Sequence, residues 1–258
     1  FTPLFITPLM PPKISIITAV YNRAATIASA IDSLATQHYT NWQHVVVDGA
    51  SVDETLVVLK QYVSAQRIVI SEPDAGIYDA LNKGLNLVEG DIIGLLHSDD
   101  FFASPQVLDL VAQAFEDPEV DAVYGDLEYV SARNPLKRIR YWRSGAFKTQ
   151  LLKLGWMPPH PALFLRRRVF ASVGFYDTEF RIAADYDLMI RCFSRQNFKT
   201  VYIPSVLVRM RIGGESNRSL SQILRKSRED LRVIRKNQIG GLLTLLLKNL
   251  RKVQQFLI

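Results

Sequence analysis

From Lys13 to about Phe115, short β-branched runs alternate with amphipathic helical stretches four times over, and that alternation leaves few folds open. Strands are expected at Ile14 to Thr18, His44 to Val47, Ile68 to Ile70 and Ile92 to Leu96. Helices are expected at Ala25 to Ala35, Glu54 to Tyr62, Tyr78 to Val88 and Pro105 to Phe115. Right-handed crossovers then lay the four strands into one parallel sheet. Ligands of such sheets collect just beyond the strands' carboxyl ends. Here those ends are Ala19 to Arg23, Asp48 to Asp53, Ser71 to Gly76 and His97 to Asp100.

The middle third changes character. Ala122 to Val130 and Ile139 to Trp142 read as antiparallel strands, so the sheet becomes mixed. The segment from Trp156 to Pro161 is too proline-rich for regular structure and reads as a loop before a strand at Ala162 to Leu165. Helices at Arg168 to Val173 and Asp185 to Ser194 follow, then strands at Val201 to Ile203 and Val206 to Met210. A Gly-Gly-Glu-Ser loop leads into helices at Gln222 to Asn237 and Leu242 to Ile258. The chain thus divides into an extension (1–12), an α/β domain (13–211) and a loop with a helical tail (212–258).

The net charge of +6 on 258 residues is unevenly placed. From Ser205 onward, 12 Lys and Arg face 3 Asp and Glu, while the preceding 204 residues carry −3. An acidic body argues against nucleic-acid binding, and the basic tail suits an anionic membrane surface or a solvated helix face. The tail's second helix, rich in Leu242, Leu243, Leu246 and Leu250, fits either a bilayer interface or the body's own core. No apolar run is long enough to span a bilayer, and the Pro-broken opening segment does not read as a signal peptide. A single cysteine, Cys192, excludes an intrachain disulfide framework and falls among apolar helix positions as a buried hydrophobe. These features place the protein in the cytoplasm, with the tail able to rest on the inner face of the membrane.

Chemistry concentrates at Asp99 and Asp100, two adjacent carboxylates delivered by an apolar strand to its carboxyl end. Like charges there repel unless a cation or a donor-rich ligand lies between them, and oxygen donors suit Mg2+ or Mn2+. Capping of the helix opened by Pro105, through Asp100 or Ser104, is the alternative. Asp48, at the end of the second strand, is placed to accept a base N–H or ribose hydroxyls. Asp53 suits the N-cap of the next helix. No G-x-G-x-x-G or G-K-[ST] occurs, so dinucleotide and P-loop readings lack support.

Taken in order, Tyr21-Asn22-Arg23 after strand one, Val47-Asp48 through Asp53, the pair at 99 and 100, and Ala184-Asp185 resemble the GT-A glycosyltransferases of the large inverting family 2 over about Lys13 to Met210. The resemblance implies an α/β GT-A fold with a Rossmann-like nucleotide-binding half (13–118) and an acceptor half (119–211). It also implies a nucleoside diphosphate sugar donor of the UDP, GDP or dTDP type and a glycan or lipid-linked acceptor at the cell surface. Thr18, Ala19, Tyr21, Arg23 and Asp48 would line the nucleotide, with Asp79 or Lys83 beside it on the Gly76 to Gly84 helix. Asp99 would bind the ribose and Asp100 the Mn2+ or Mg2+ that bridges the diphosphate. Ser98 stands where the family's D-x-D motif has its first acid. Asp185 matches the family's general base, with Asp187 as an alternative. His160, Arg209 and Arg211 are candidates for acceptor or diphosphate contact, the arginines together with a lid at Gly213 to Ser216. His97 is ambiguous. Two other functions share some features. A nucleotidyltransferase should show a Gly-rich basic loop after strand one, which Tyr21-Asn-Arg-Ala-Ala lacks; a catalytically dead membrane module would not need the acidic pair.

Overall fold

A computed structural model describes residues 11–212 and 220–255. Four strands, β1 (Ile14–Val20), β2 (Trp42–Asp48), β3 (Arg67–Ser71) and β4 (Ile92–Leu95), alternate with helices α1 (Ile27–Ala35), α2 (Thr55–Lys60) and α3 (Ile77–Leu85). They pair parallel in the order β3-β2-β1-β4, with Val20 and Asp48 in register at the carboxyl edge. The strand carrying the acidic pair does not run directly into a helix. Phe101 and Phe102 form a two-residue strand, β5, antiparallel to the last strand of the sheet. Only then does α4 (Val107–Ala114) begin, with no side-chain cap.

The sheet continues through β6 (Ala122–Ser131) and β7 (Arg138–Trp142). After α5 (Gln150–Lys153) and a single 3-10 turn at His160–Ala162 come β8 (Leu163–Arg166), α6 (Arg167–Val173), α7 (Ala184–Phe193) and β9 (Thr200–Ile212). β8 runs antiparallel to both β4 and β6, which makes the sheet mixed, while β6 and β9 are parallel. The two expected strands flanking Pro204 are one 13-residue strand. Its ladder with β6 shifts register around Asp126, and such irregularities are where a strand tolerates a proline that lacks an N–H. Two tail helices, α8 (Leu220–Lys236) and α9 (Leu242–Gln254), complete the described chain.

Period-two alternation splits the strand side chains between two cores. Ile17, Val45, Val47 and Leu95 pack with α3, α7 and the tail residues Val233 and Ile234 on one face; Ile14, Ile16, Ile92 and Phe164 pack with α1 and α4 on the other. Gly84 lets α3 lie close on the sheet, since a Cβ there would come within 2.5 Å of the Ile17 side chain. The tail therefore covers the body's own core with α8. No described helix is long and apolar enough to cross a membrane.

Beneath the carboxyl edge, the Thr18 hydroxyl donates to the Leu96 carbonyl at 2.7 Å. Its one proton is thereby committed, so His44 Nε2 at 2.9 Å must be the donor to Thr18 and Nδ1 accepts from Arg67 Nε at 3.0 Å. Burial, reinforced by the Arg67 charge, pulls this imidazole down to about 3. Its folded value lies below the unfolded one, so the unfolded chain binds more protons as pH falls from about 6.5 toward 3, and stability drops over that window. Urea melts at pH 7 and pH 5 are expected to show a His44 contribution of about 2 kcal/mol lost at the lower pH, absent in His44→Gln. Equal pH dependence in the two proteins would reject this account.

Candidate active site

The loops at the ends of β1 and β2 are tied to each other. Asn22, in a left-handed conformation at φ 52°, accepts the Val52 N–H on Oδ1 at 2.9 Å and donates its own N–H to Ser51 Oγ. The Arg23 N–H meets Thr55 Oγ1 and the Ala24 N–H meets Asp53 Oδ2. Asp53 also takes the Thr55 N–H at 2.9 Å, but from the residue before the N-cap, which Glu54 occupies without a side-chain cap bond, so the expected cap is one residue off. Tyr21 stands exposed above this scaffold, while Ala19 is buried within it.

Asp48 is fully buried, and its carboxylate accepts the Ser51 N–H and the hydroxyls of Ser51 and Ser71. Thr18 is equally buried, with its hydroxyl engaged as above. On α3, Asp79 accepts the Ala75 N–H at 3.0 Å, and Lys83 reaches Glu72 at 2.9 Å, Asp79 at 3.5 Å and the Pro73 carbonyl. These polar groups lie beside one another along the ends of β2 and β3.

Asp100 behaves differently from every carboxylate around it. It is fully buried, and among the described residues no side chain donates to either carboxylate oxygen; only the Arg211 backbone N–H and charge relieve it in part. Burial, with the Asp99 charge adding to it, holds its carboxyl well above the usual carboxylate range; Arg211 opposes only in part. The helix-cap alternative fails for both Asp100 and Ser104, because α4 starts after Gln106 with no side-chain cap bond. Ser98 is buried and Asp99 partly exposed. Arg211 underpins the pair, donating to the Asp99 carbonyl at 2.7 Å and to Ser29 Oγ at 2.8 Å, with its guanidinium 4.6 Å from the Phe101 ring centroid. Arg209, one pleat away, is instead paired with Glu128 at 3.0 Å. The expected lid at Gly213 to Ser216 lies outside the described residues.

A chain of rings links this pair to Asp185. His97 and His160 stand with ring centroids 6.3 Å apart. His160 Nε2 lies 2.9 Å from the Tyr176 hydroxyl, and Tyr176 stacks on Tyr78 at 5.6 Å. The Tyr78 hydroxyl, which donates to the Ile182 carbonyl at 2.8 Å, lies 3.3 Å from Asp185 Oδ1. Burial brings His160 down to about 4 and lowers His97 as well, so both rings are neutral near pH 7. Asp185 itself, in the first turn of α7, remains partly exposed. Asp187, the alternative base, is fully buried and held by Arg191 at 2.8 Å, Lys236 at 3.2 Å and Asn237 at 2.9 Å; those contacts remove it from that role.

Spacing alone did not single out three participants. Tyr78 and Tyr176 look like ordinary packing aromatics in sequence. Glu229, on the tail helix α8, accepts the Ile182 and Ala183 N–H groups at 2.7 and 3.1 Å and so caps the helix that carries Asp185. No local signal marks a cap 46 residues downstream of its helix.

The donor set fits a hard divalent cation. A buried carboxylate with no side-chain donor among the described residues, adjacent to a second one and only partly offset by Arg211, is short of positive charge, and its oxygens suit Mg2+ or Mn2+. Among the described residues no group of three or more His, Cys, Asp or Glu is poised as a complete metal cage. Remaining coordination positions would thus fall to substrate oxygens and water, as Mg2+-type sites commonly arrange.

The sequence profile of Glycosyl transferase family 2 matches residues 15–174. A PGL/p-HBAD biosynthesis glycosyltransferase of Mycobacterium tuberculosis is 34% identical over 211 residues, covering 80% of each chain. Among solved structures, the mannosyltransferase PcManGT of Pyrobaculum calidifontis, in complex with GDP-Man and Mn2+, superposes with a TM-score of 0.67 at 18% identity over 97% of this chain and 71% of that one. S. aureus TarS in complex with UDP-GlcNAc gives a TM-score of 0.68 at 18% identity, over 95% and 71%. At those identities the structural likeness speaks for the fold alone.

Proposed function

The chain belongs to glycosyl transferase family 2 and has a GT-A fold; on that premise we propose that it is an inverting, divalent-metal-dependent enzyme moving a hexose unit from a nucleoside diphosphate sugar to an acceptor hydroxyl. The observation that carries the reading is Asp100, buried beside Asp99 with no side-chain donor among the described residues, in the same electrostatic neighbourhood as Asp185. A site built for structure would have neutralised that carboxylate internally.

In this reading Asp100, with Asp99 beside it, holds the cation, which when bound stabilises charge developing on the departing diphosphate. Asp99 takes the ribose, while Tyr21, Arg23 and Asp48 line the base-binding end. Asp185 accepts the proton of the attacking hydroxyl as the C1–O bond to the diphosphate breaks, on the opposite face of the sugar. Tyr78 and the Glu229 cap hold Asp185 at the open mouth of α7. The neutral rings of His97 and His160 form the wall between carboxylate pair and base.

The donor class is supported by solved relatives in complex with GDP-Man and with UDP-GlcNAc. A screen of UDP, GDP and dTDP sugars by thermal denaturation is expected to find one donor that raises Tm only when Mn2+ or Mg2+ is present. Saturation at 100 times Kd corresponds to about 2.7 kcal/mol. No metal-dependent stabilisation by any of the three would sink the proposal.

On the acceptor side, Leu242, Leu243, Leu246, Leu250 and Val253 are exposed along α9, and the adjoining helix α8 exposes Arg225, Arg228, Arg232 and Arg235. An apolar stripe beside cations supports peripheral attachment to an anionic membrane and a lipid-linked acceptor in cell-surface glycan synthesis.

A further inference from the structure

The inner side of α9 builds something the transfer reaction as described does not use. Between α9 and the segment running from β7 to Met157 lies a cavity of about 240 Å³, lined among others by Trp142, Arg143, Trp156, Lys248, Arg251 and Lys252. It exceeds the ~150 Å³ cavity that admits a benzene-sized guest. Four of these residues are cations, and no Asp or Glu lines it.

Its walls are firmly held. Trp156 Nε1 donates to the Ser144 carbonyl at 2.8 Å, Arg251 Nε to the Leu154 carbonyl at 3.1 Å, and the Tyr141 N–H to the Gln255 carbonyl at 3.1 Å. Gly155, at φ +70°, lets α9 approach so closely that a Cβ would come within 2.6 Å of the Lys248 backbone. The positive charge is only partly answered. Lys248 is buried against Asp230 at 2.6 Å, whereas Lys252 Nζ donates to Asn249 Oδ1 at a long 3.3 Å. Burial and the like charges of Lys226, Lys248 and Arg140 bring Lys252 down to about 8, with Asp230 opposing. Cations crowded into a partly desolvated pocket bind an anion more strongly than they would in open water.

The pocket's wall reaches the helix that carries the proposed base. Lys248 Nζ lies 3.6 Å from the centroid of Tyr186, the residue after Asp185, and Trp156 opens the loop that ends at His160. We propose that this cavity is a phosphate subsite, binding a mono- or diphosphate group of the acceptor and so selecting phosphorylated acceptors whose hydroxyl then meets Asp185. The proposal rests on the transferase reading for its purpose, though phosphate binding itself does not.

The test is calorimetry on the full chain with inorganic pyrophosphate in EDTA, so that no metal recruits the probe to Asp100. One saturable site is expected, weakened at least about tenfold in Arg143→Gln/Lys252→Gln. Lys252→Arg, which keeps the charge, should stay within about threefold of wild type. Absent binding in wild type, undiminished binding in the double variant, or Lys252→Arg no better than Lys252→Gln would overturn the subsite. Binding of UDP or GDP with Mn2+, measured on the same samples, should be unchanged. Pyrophosphate bound without any nucleotide bound would remove the transferase reading and leave the pocket; the reverse would remove only the pocket. Flotation with phosphatidylglycerol vesicles separates the sources of phosphate. Vesicle capture indifferent to pyrophosphate supports an acceptor phosphate, whereas capture that pyrophosphate competes away would assign the pocket to a bilayer headgroup and overturn the acceptor role.

Discussion

Asp185→Asn is expected to lower kcat by about 10³-fold while donor binding with Mn2+ stays within about twofold of wild type, since a positioned general base contributes roughly 10²–10⁴. The substitution keeps the size of the side chain and an oxygen that can accept the Tyr186 N–H, which Asp185 Oδ1 takes at 2.7 Å. It removes the ability to carry the acceptor's proton. Because Glu229 caps α7 independently of residue 185, the helix should stay in place, and loss of turnover would not reflect loss of structure. Calorimetry for the donor and a product assay for transfer separate the two effects. Retained turnover would assign the base elsewhere. It could not pass to Asp187, whose carboxylate is buried between Arg191, Lys236 and Asn237.

The second large effect has two opposite signs. Asp100→Asn should abolish metal-dependent nucleotide binding, yet make the metal-free protein more stable at pH 7 by about 1–2 kcal/mol. The reason lies in the burial of a carboxyl group beside Asp99 with no side-chain donor among the described residues. Its folded pKa is raised, so the ionised form is disfavoured in the fold near neutrality, and stability is recovered as pH falls and the carboxyl takes its proton. The amide removes that charge permanently. Urea melts in EDTA read the gain, and Mn2+ titration with nucleotide reads the loss. A metal-free Asp100→Asn protein less stable than wild type would mean that Asp100 carries a structural contact, and the case for its holding a cation would weaken.

Much of this was legible in the chain itself, and the reason differs by residue. Strands β1 to β4 were readable because a buried parallel strand leaves a local trace, a short β-branched run next to a turn. The position of Asp99 and Asp100 just past the end of a buried strand was readable because it depends only on the strand directly before them. Arg209 and Arg211 show where that kind of inference stops. Two positions apart on one strand, they are equivalent in spacing, yet one is paired with Glu128 on β6 and the other supports the Asp99 backbone and Ser29. Which neighbour each meets depends on the ladder of β9 with β6 and β5, set by a register shift that the sequence pattern does not announce. The tail is a similar case. Its charge and its leucines were plain, and both a membrane face and a core face were compatible with them. In the fold α8 packs inward with Val233 and Ile234, while α9 keeps an exposed apolar stripe.

The sequence by itself thus determined the parallel half of the sheet and the strand ends at which Asp48, Asp99 and Asp100 stand, because these follow from periodicity and adjacency. Only the tertiary structure decided that Asp100 would be buried with no side-chain donor among the described residues, that Tyr78 would stand beside Asp185 across 107 residues of chain, and that Glu229 from the tail would cap the helix that carries Asp185. Those features depend on which distant side chains packing brings within hydrogen-bond reach of one another, and local spacing carries no record of that.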